Sequence, residues 1–138
     1  MKKQALAVLV VLAISILATS EGFARPRVMK AYVPFAFEAG NRTLPAGRYQ
    51  IEFVETGSGV LEKIRQTDGG QQQVLVSAVP LDPTSVSAAR LVFHRYGNHY
   101  TLAQIWDGDG RGQKLAESKR EREAASAARS VDVAVALR

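Results

Sequence analysis

The stretch Leu91–Trp106, "LVFHRYGNHYTLAQIW", decides the fold class of this chain. Gly97 and Asn98 stand between two runs of alternating apolar and polar residues, a pattern typical of a β-hairpin with a two-residue turn. The predicted pairs across this turn are Tyr96 with His99, Arg95 with Tyr100, His94 with Thr101, Phe93 with Leu102 and Leu91 with Gln104. The stretch therefore predicts two long antiparallel strands.

The two faces of this hairpin differ in composition. The face predicted to enter the core carries Leu91, Phe93, Tyr100, Leu102 and Trp106. The opposite face carries Val92, His94, Tyr96, His99, Thr101, Ala103 and Ile105. Aromatic and β-branched pairs across the strands stabilise such a ladder.

Period-two runs and turn signals recur along the rest of the chain. Further strands are predicted over residues 29–39, 48–54, 60–66 and 71–79, separated by loops such as "GNRTLPAG" and "TDGG". Residues 131–137 alternate in the same way and predict either a last strand or a frayed tail. Residues 113–128 are rich in Ala, Glu, Lys and Arg and predict one helix. The pattern therefore predicts an all-β fold, an antiparallel β-sandwich or small β-barrel of six or seven strands with one short C-terminal helix.

The first residues of the chain have the order of a secretory signal peptide. Lys2 and Lys3 precede an apolar run over residues 5–18, and small and polar residues follow. This run is shorter than the roughly 20 residues that span a bilayer. We expect a signal peptide over residues 1–24, cleaved after Ala24 or alternatively after Ser20. Residues 25–138 would then form a single exported domain, periplasmic or extracellular, with no stable membrane span.

Charge and cysteine content narrow the classes of partner. The chain has 18 Lys and Arg against 13 Asp and Glu, and it has no cysteine. Disulfides and a lipid-modified cysteine are therefore excluded. A mild positive charge favours an anionic cell-envelope polymer, with a protein partner as the alternative. The charges look scattered along the sequence, which argues against nucleic-acid binding.

Histidine and aromatic side chains that could contact a ligand concentrate in the stretch Leu91–Trp106. The candidate ligand-binding residues are His94, Tyr96, His99, Tyr100 and Trp106. A zinc site needs three or four ligands, and the sequence offers no third ligand beside the two histidines. Nothing places a nucleophile beside either histidine, so we assign no catalytic residue, metal or cofactor.

The segment "DGDGRG" that follows Trp106 resembles the opening of a calcium-binding loop. Asp107 and Asp109 stand at positions one and three of this resemblance. Position five, however, is Arg111, and position twelve is Ser118 instead of the bidentate Glu. We interpret the segment as a flexible turn.

Three motifs together resemble those of one group of bacterial proteins. The motifs "VPFAFEAGNRTLPAGRYQIE", "LVFHRYGNHYTLAQIW" and "KLAESKREREA" are similar to those of small, signal-peptide-bearing, β-rich proteins of soil bacteria, notably acidobacteria. The matching positions are Pro34, Phe35, Phe37, Gly40, Leu44, Pro45, Ala46, Gly47, Tyr49, Phe93, His94, Arg95, Tyr96 and Gly97. The resemblance implies export and a β-rich fold, and it implies no particular activity.

Three functions are compatible with these observations. The first is an exported non-catalytic β module that binds an envelope component or a protein partner. The second is a small barrel that carries a lipophilic ligand in an interior lined by Phe35, Phe37, Tyr49, Phe53 and Trp106. The third is a hydrolase that uses His94 or His99 with an acidic residue. We rank them in this order.

Overall fold

A computed structural model describes residues 27–85 and 88–138 of the chain. The signal peptide predicted over residues 1–24 lies outside these residues. The described part contains ten strands and one helix. Their bounds are β1 Val28–Val33, β2 Phe37–Ala39, β3 Arg42–Leu44, β4 Gly47–Thr56, β5 Gly59–Gln66, β6 Gln73–Leu81, β7 Arg90–Tyr96, β8 His99–Trp106, β9 Gly112–Leu115, α1 Lys119–Ala127 and β10 Val131–Ala136.

The strands form one continuous sheet that curls back on itself. Its main path runs β1-β4-β5-β6-β9-β8-β7-β10, and every neighbouring pair in this path is antiparallel. The hairpin of β2 and β3 joins β8 through a parallel pairing of Glu38 with Thr101. At the ends of the path, the Lys30 N–H donates to the Arg138 carbonyl at 3.0 Å, and the Arg138 N–H donates back at 2.9 Å.

The predicted all-β fold with one C-terminal helix is confirmed, and the strands are more numerous than the predicted six or seven. The predicted strand over residues 29–39 divides into β1 and β2 because Pro34 cannot donate to a ladder. Residues 42–44, predicted as a connection, pair with β2 as β3. One curled sheet whose ends meet is closer to the predicted barrel than to two stacked sheets.

The core lies inside the curl of the sheet. Alternate residues of β1 and β6 are buried, as the period-two pattern predicts. Aromatic rings pack edge to face in its centre, Phe37 against Tyr49 at 5.1 Å and against Phe93 at 5.3 Å between ring centroids. The Tyr49 hydroxyl donates to the Pro45 carbonyl at 2.5 Å, which ties the core to the "LPAG" turn.

The hairpin of β7 and β8 confirms the predicted register near its turn. The pairs from Tyr96–His99 to Phe93–Leu102 form as predicted, and Gly97 has a φ of 60°. Beyond them the register shifts between Val92 and Phe93, so that Leu91 lies opposite Ile105 instead of Gln104.

This bulge reverses the predicted orientation of the last residues of β8. Because Ala103 is an extra residue without a partner, every later residue of the strand turns to the other side. Ile105, predicted on the outer face, is in the core at 2% exposure. Trp106, predicted on the core face, is outside the core cluster and packs against Gly112 and the Arg90 guanidinium.

The predicted helix over residues 113–128 is wrong at its start. Residues Gly112–Leu115 form β9, because they complete the sheet between β6 and β8. The helix α1 begins only after Ser118, whose hydroxyl caps it by accepting from the Glu121 N–H at 3.1 Å. The predicted last strand is confirmed as β10, which pairs with β7.

Candidate functional site

A cleft forms where α1 lies across the hairpin of β7 and β8. We call it the helix–hairpin cleft, and its volume is about 290 Å³. Its lining residues come from β2, β7, β8 and α1, and they are Glu38, Tyr96, His99, Thr101, Arg120, Glu121 and Ala124. Residues that are distant in sequence therefore meet at one site.

A hydrogen bond between helix and sheet fixes one wall of the cleft. Glu121 is 4% exposed although it lies in the first turn of α1. Its Oε1 lies 2.8 Å from His94 Nδ1. The other ring nitrogen of His94, Nε2, lies 3.8 Å from Asp132 Oδ1 on β10. His94 thus connects α1 to two strands, and both of its ring nitrogens face carboxylates.

An ion pair forms the opposite wall. Arg120 Nη1 donates to Glu38 Oε1 at 2.9 Å. Glu38 is buried on β2, whereas the Arg120 side chain remains 72% exposed. The guanidinium therefore keeps donors that are free to contact a ligand.

Tyr96 and His99 stand at the hairpin end of the cleft. Burial raises the pKa of the Tyr96 phenol, and the Glu121 carboxylate raises it further, while a hydrogen bond with Ser130 acts in the opposite direction. Tyr96 is thus a neutral hydroxyl at neutral pH. Together with the Thr101 hydroxyl and the exposed His99 ring, it adds uncharged hydrogen-bonding groups to the cleft.

The structure brings together only part of the predicted ligand-binding set. Tyr96 and His99 line the cleft, and His94 borders it through Glu121. Tyr100 lies on the core side, where its ring stacks on Phe35 at 3.9 Å between centroids.

Trp106, the fifth predicted residue, lies at the far end of the hairpin from the turn. Its Nε1 donates to Gln104 Oε1 at 2.9 Å, and the Arg90 guanidinium lies 5.2 Å from its ring. Trp106 was also expected to line a hollow barrel together with Phe35, Phe37, Tyr49 and Phe53, but it lies outside the core cluster that contains Phe37 and Tyr49. Of these, Phe37 and Tyr49 are buried and in contact with each other.

Sequence reasoning missed the contributions of β2 and α1 to the cleft, namely Glu38, Arg120 and Glu121. One signal was available for the helix. Ser118 and Glu121 form the Ser-x-x-Glu pattern of a helix N-terminus, which places Arg120 and Glu121 in the first turn. No local signal pointed to Glu38, because its place depends on the pairing of β2 with β8.

The loop that resembles a calcium site is occupied by arginine side chains. Arg27 Nη1 lies 2.8 Å from Asp107 Oδ2, and Arg27 Nη2 lies 2.6 Å from Asp109 Oδ2. Arg111 also pairs with both carboxylates. The Arg27 hydrogen bond and charge hold the pKa of Asp109 below its ordinary value. Within the described residues, no group of three or more His, Asp or Glu side chains could hold a metal ion.

A buried carboxyl group lies on β5, away from the cleft. Glu62 is 1% exposed, and its Oε2 has no hydrogen-bond partner among the described residues. Its cross-strand neighbours are Phe53 on β4 and Val76 on β6. Burial raises its pKa from 4.5 to about 7.

Comparison with protein-family models, curated proteins and solved structures finds no match to the chain. The resemblance to the group of soil-bacterial proteins therefore stays a prediction. Within residues 27–85 and 88–138, no helix has the length and apolar composition needed to span a membrane.

Proposed function

We propose that this protein is an exported, non-catalytic binding module that holds a sugar unit of a cell-envelope glycan in the helix–hairpin cleft. The observation that carries this proposal is the lining of the cleft, which combines hydroxyl, imidazole, guanidinium and carboxylate groups around a small space. Export rests on the N-terminal sequence pattern.

The pairing of charges favours a neutral, hydroxyl-rich ligand. Arg120 is paired with Glu38, and the Glu121 carboxylate is hydrogen-bonded to His94, so both carboxylates of the cleft already have partners. A ligand would instead be recognised by hydrogen bonds to Tyr96, His99 and the free donors of Arg120. Sugar hydroxyls both donate and accept, which matches a lining of mixed donors and acceptors.

The size of the cleft sets the size of the ligand. Small-molecule pockets typically occupy about 300–1,000 Å³. The cleft, at about 290 Å³, lies at the lower end of this range. It accommodates one or two sugar rings, and a longer glycan would continue into solvent.

The surroundings of His94 support a binding role over hydrolysis. A histidine that activates a hydroxyl nucleophile needs a ring nitrogen within hydrogen-bond distance of that hydroxyl. Nδ1 of His94 is hydrogen-bonded to Glu121 at 2.8 Å, Nε2 lies 3.8 Å from Asp132 Oδ1, and no hydroxyl among the described residues hydrogen-bonds to either nitrogen. His94 therefore positions α1 over the hairpin and shapes the cleft.

Calorimetric titration of the domain over residues 25–138 tests the proposal. The titrants are soluble disaccharide fragments of peptidoglycan and of neutral envelope glycans. We expect one fragment to bind, and we expect Arg120→Ala and Thr101→Val each to weaken its Kd by about tenfold, corresponding to the loss of one ligand hydrogen bond.

Arg122→Ala is the matched control for this titration. Arg122 is exposed on the same helix and does not line the cleft, so its replacement should leave the Kd unchanged. Unfolding curves of each variant check that the domain remains folded. If no fragment binds, or if Arg120→Ala and Arg122→Ala weaken binding equally, the cleft is not the binding site.

A further inference from the structure

A second surface, on the outer side of β1, β4 and β5, concentrates positive charge. We call it the basic face, and its residues are Lys30, Tyr32, Arg48, Gln50, Lys63 and Arg65. The strand register places Lys30 opposite Gln50, and Gln50 opposite Arg65, in one row across the three strands. Tyr32 lies opposite Arg48 in the adjacent row.

The cationic groups of this face are incompletely neutralised. Four of its residues are Lys or Arg, and Glu52, which lies opposite Lys63, is the acidic residue within these rows. Lys63 Nζ is 3.1 Å from Glu52 Oε2. Arg65 Nη2 donates to the neutral Gln50 Oε1 at 2.6 Å, so its charge is not cancelled.

Lys30 and Arg48 are the most available cations of the basic face. Both are exposed, and neither side chain has an ion-pair partner among the described residues. The carboxylate of Asp68 is used at the end of this face, where its Oδ1 accepts from the Arg48 backbone N–H at 2.8 Å. Lys30, Arg48 and Arg65 therefore present positive charge that no carboxylate among the described residues neutralises, whereas Lys63 is paired with Glu52.

We propose that the basic face binds an extended, carboxylate-bearing polysaccharide. Neighbouring strands are about 4.8 Å apart, so side chains in one row recur at a spacing similar to the length of one sugar unit. Lys30 and Arg65, two strands apart, are then separated by about 10 Å, and they would contact alternate carboxylates of a chain that crosses the strands. Gln50 stands between them and provides an amide for sugar hydroxyls.

Tyr32 gives the basic face a preference for sugar rings over other anions. Its side chain is 60% exposed, and it lies directly beside the row of Lys30. An exposed aromatic ring on the outer side of the sheet offers an apolar surface with a polar tip, which suits the faces and hydroxyls of a sugar. An anionic membrane would be attracted by the same charges, but Gln50 occupies the middle of the row, where insertion into lipid would require an apolar side chain.

The basic face would bind a charged polymer, whereas the helix–hairpin cleft would bind a neutral sugar. The two sites can therefore be tested separately. Binding of polygalacturonate to the folded domain is measured by calorimetry at low and high salt, with neutral dextran as the polymer control. We expect polygalacturonate to bind and dextran not to bind. We also expect the affinity to fall as salt rises, because counterions are displaced on binding.

The double variant Lys30→Gln and Arg65→Gln should weaken polygalacturonate binding by at least tenfold and reduce the salt dependence. The control is the double variant Arg122→Gln and Arg129→Gln, which removes the same charge from exposed positions of α1 and of the segment that follows it. This control should retain most of the affinity. Thermal unfolding confirms that both variants are folded.

Three results would overturn the proposal. The first is the absence of polygalacturonate binding, and the second is an equal loss in both double variants, which would indicate unspecific attraction by net charge. The third is binding to phosphatidylglycerol vesicles without binding to polygalacturonate. Arg120→Ala separates the two sites, because it should weaken disaccharide binding in the cleft and leave polygalacturonate binding unchanged.

Discussion

Glu62→Gln should make the domain more stable at pH 8 and remove most of the pH dependence of its unfolding between pH 4.5 and pH 7. Glu62 lies at 1% exposure between Phe53 and Val76, and its Oε2 has no partner among the described residues. Ionisation at this place leaves a charge without solvent or a counter-ion. Glutamine has a similar shape and does not ionise.

The expected magnitude follows from the two pKa values. Burial raises the pKa of Glu62 from 4.5 to about 7 in the folded state. Below pH 4.5 the group is protonated in both states, and it does not affect stability. Between these values the unfolded chain ionises first, so the free energy of unfolding falls as pH rises and levels off above about pH 7. At about 1.4 kcal/mol per pKa unit, the total loss is about 3 kcal/mol.

Urea denaturation at a series of pH values from 4 to 8 measures this effect. Native domains are stable by only about 5–15 kcal/mol, so a contribution of this size is easily detected. Glu55→Gln is the control, because Glu55 lies on the neighbouring strand and is exposed. Parallel stability curves for the wild-type protein and Glu62→Gln across this range would refute the reasoning, since the carboxyl group would then titrate equally in the folded and unfolded states.

Three further substitutions test local features of the fold. Gly112→Ala would place its Cβ 2.7 Å from the Trp106 ring, so we expect a changed fluorescence of this single tryptophan and a loss of about 1–3 kcal/mol; an unchanged spectrum would contradict the contact. Ser118→Ala removes the cap of α1 and should cost about 1 kcal/mol in urea unfolding, whereas no loss would show that the cap is dispensable. Tyr49→Phe removes a hydrogen bond to the turn and should cost about 1 kcal/mol by the same measurement, while Tyr32→Phe on the exposed surface should have little effect; equal effects would refute this role for Tyr49.

The turn of the β7–β8 hairpin could be predicted because its signals are local. Gly97 supplies the positive φ of the turn, and the alternation on both sides fixes the adjacent pairs. The bulge at Ala103 has no comparable signal in the sequence. It depends on how β8 meets β9 and β7 at the same time, and it decides which of Ile105 and Trp106 enters the core.

The start of α1 and the composition of the cleft depend on contacts between distant segments. Residues 113–115 have helix-favouring neighbours, yet they form a strand because the edges of β6 and β8 leave a place for one. Tertiary pairing overrides helix propensity at this point. Likewise, the charges of the basic face alternate along three separate strands, so they look scattered in the sequence and gather only when the strands align.

The reciprocal hydrogen bonds between Lys30 and Arg138 have a consequence for folding kinetics. They join β1 to the residue that follows β10, so the final closure of the sheet must bring together two of the most distant parts of the described chain. Contacts of such long range form slowly, whereas the local hairpins form early. Until closure, β1 has an unpaired edge that could pair with another molecule. Two features discourage edge-to-edge aggregation during this interval: the exposed Lys30 on β1, and Pro34, which directly follows the last residue of β1.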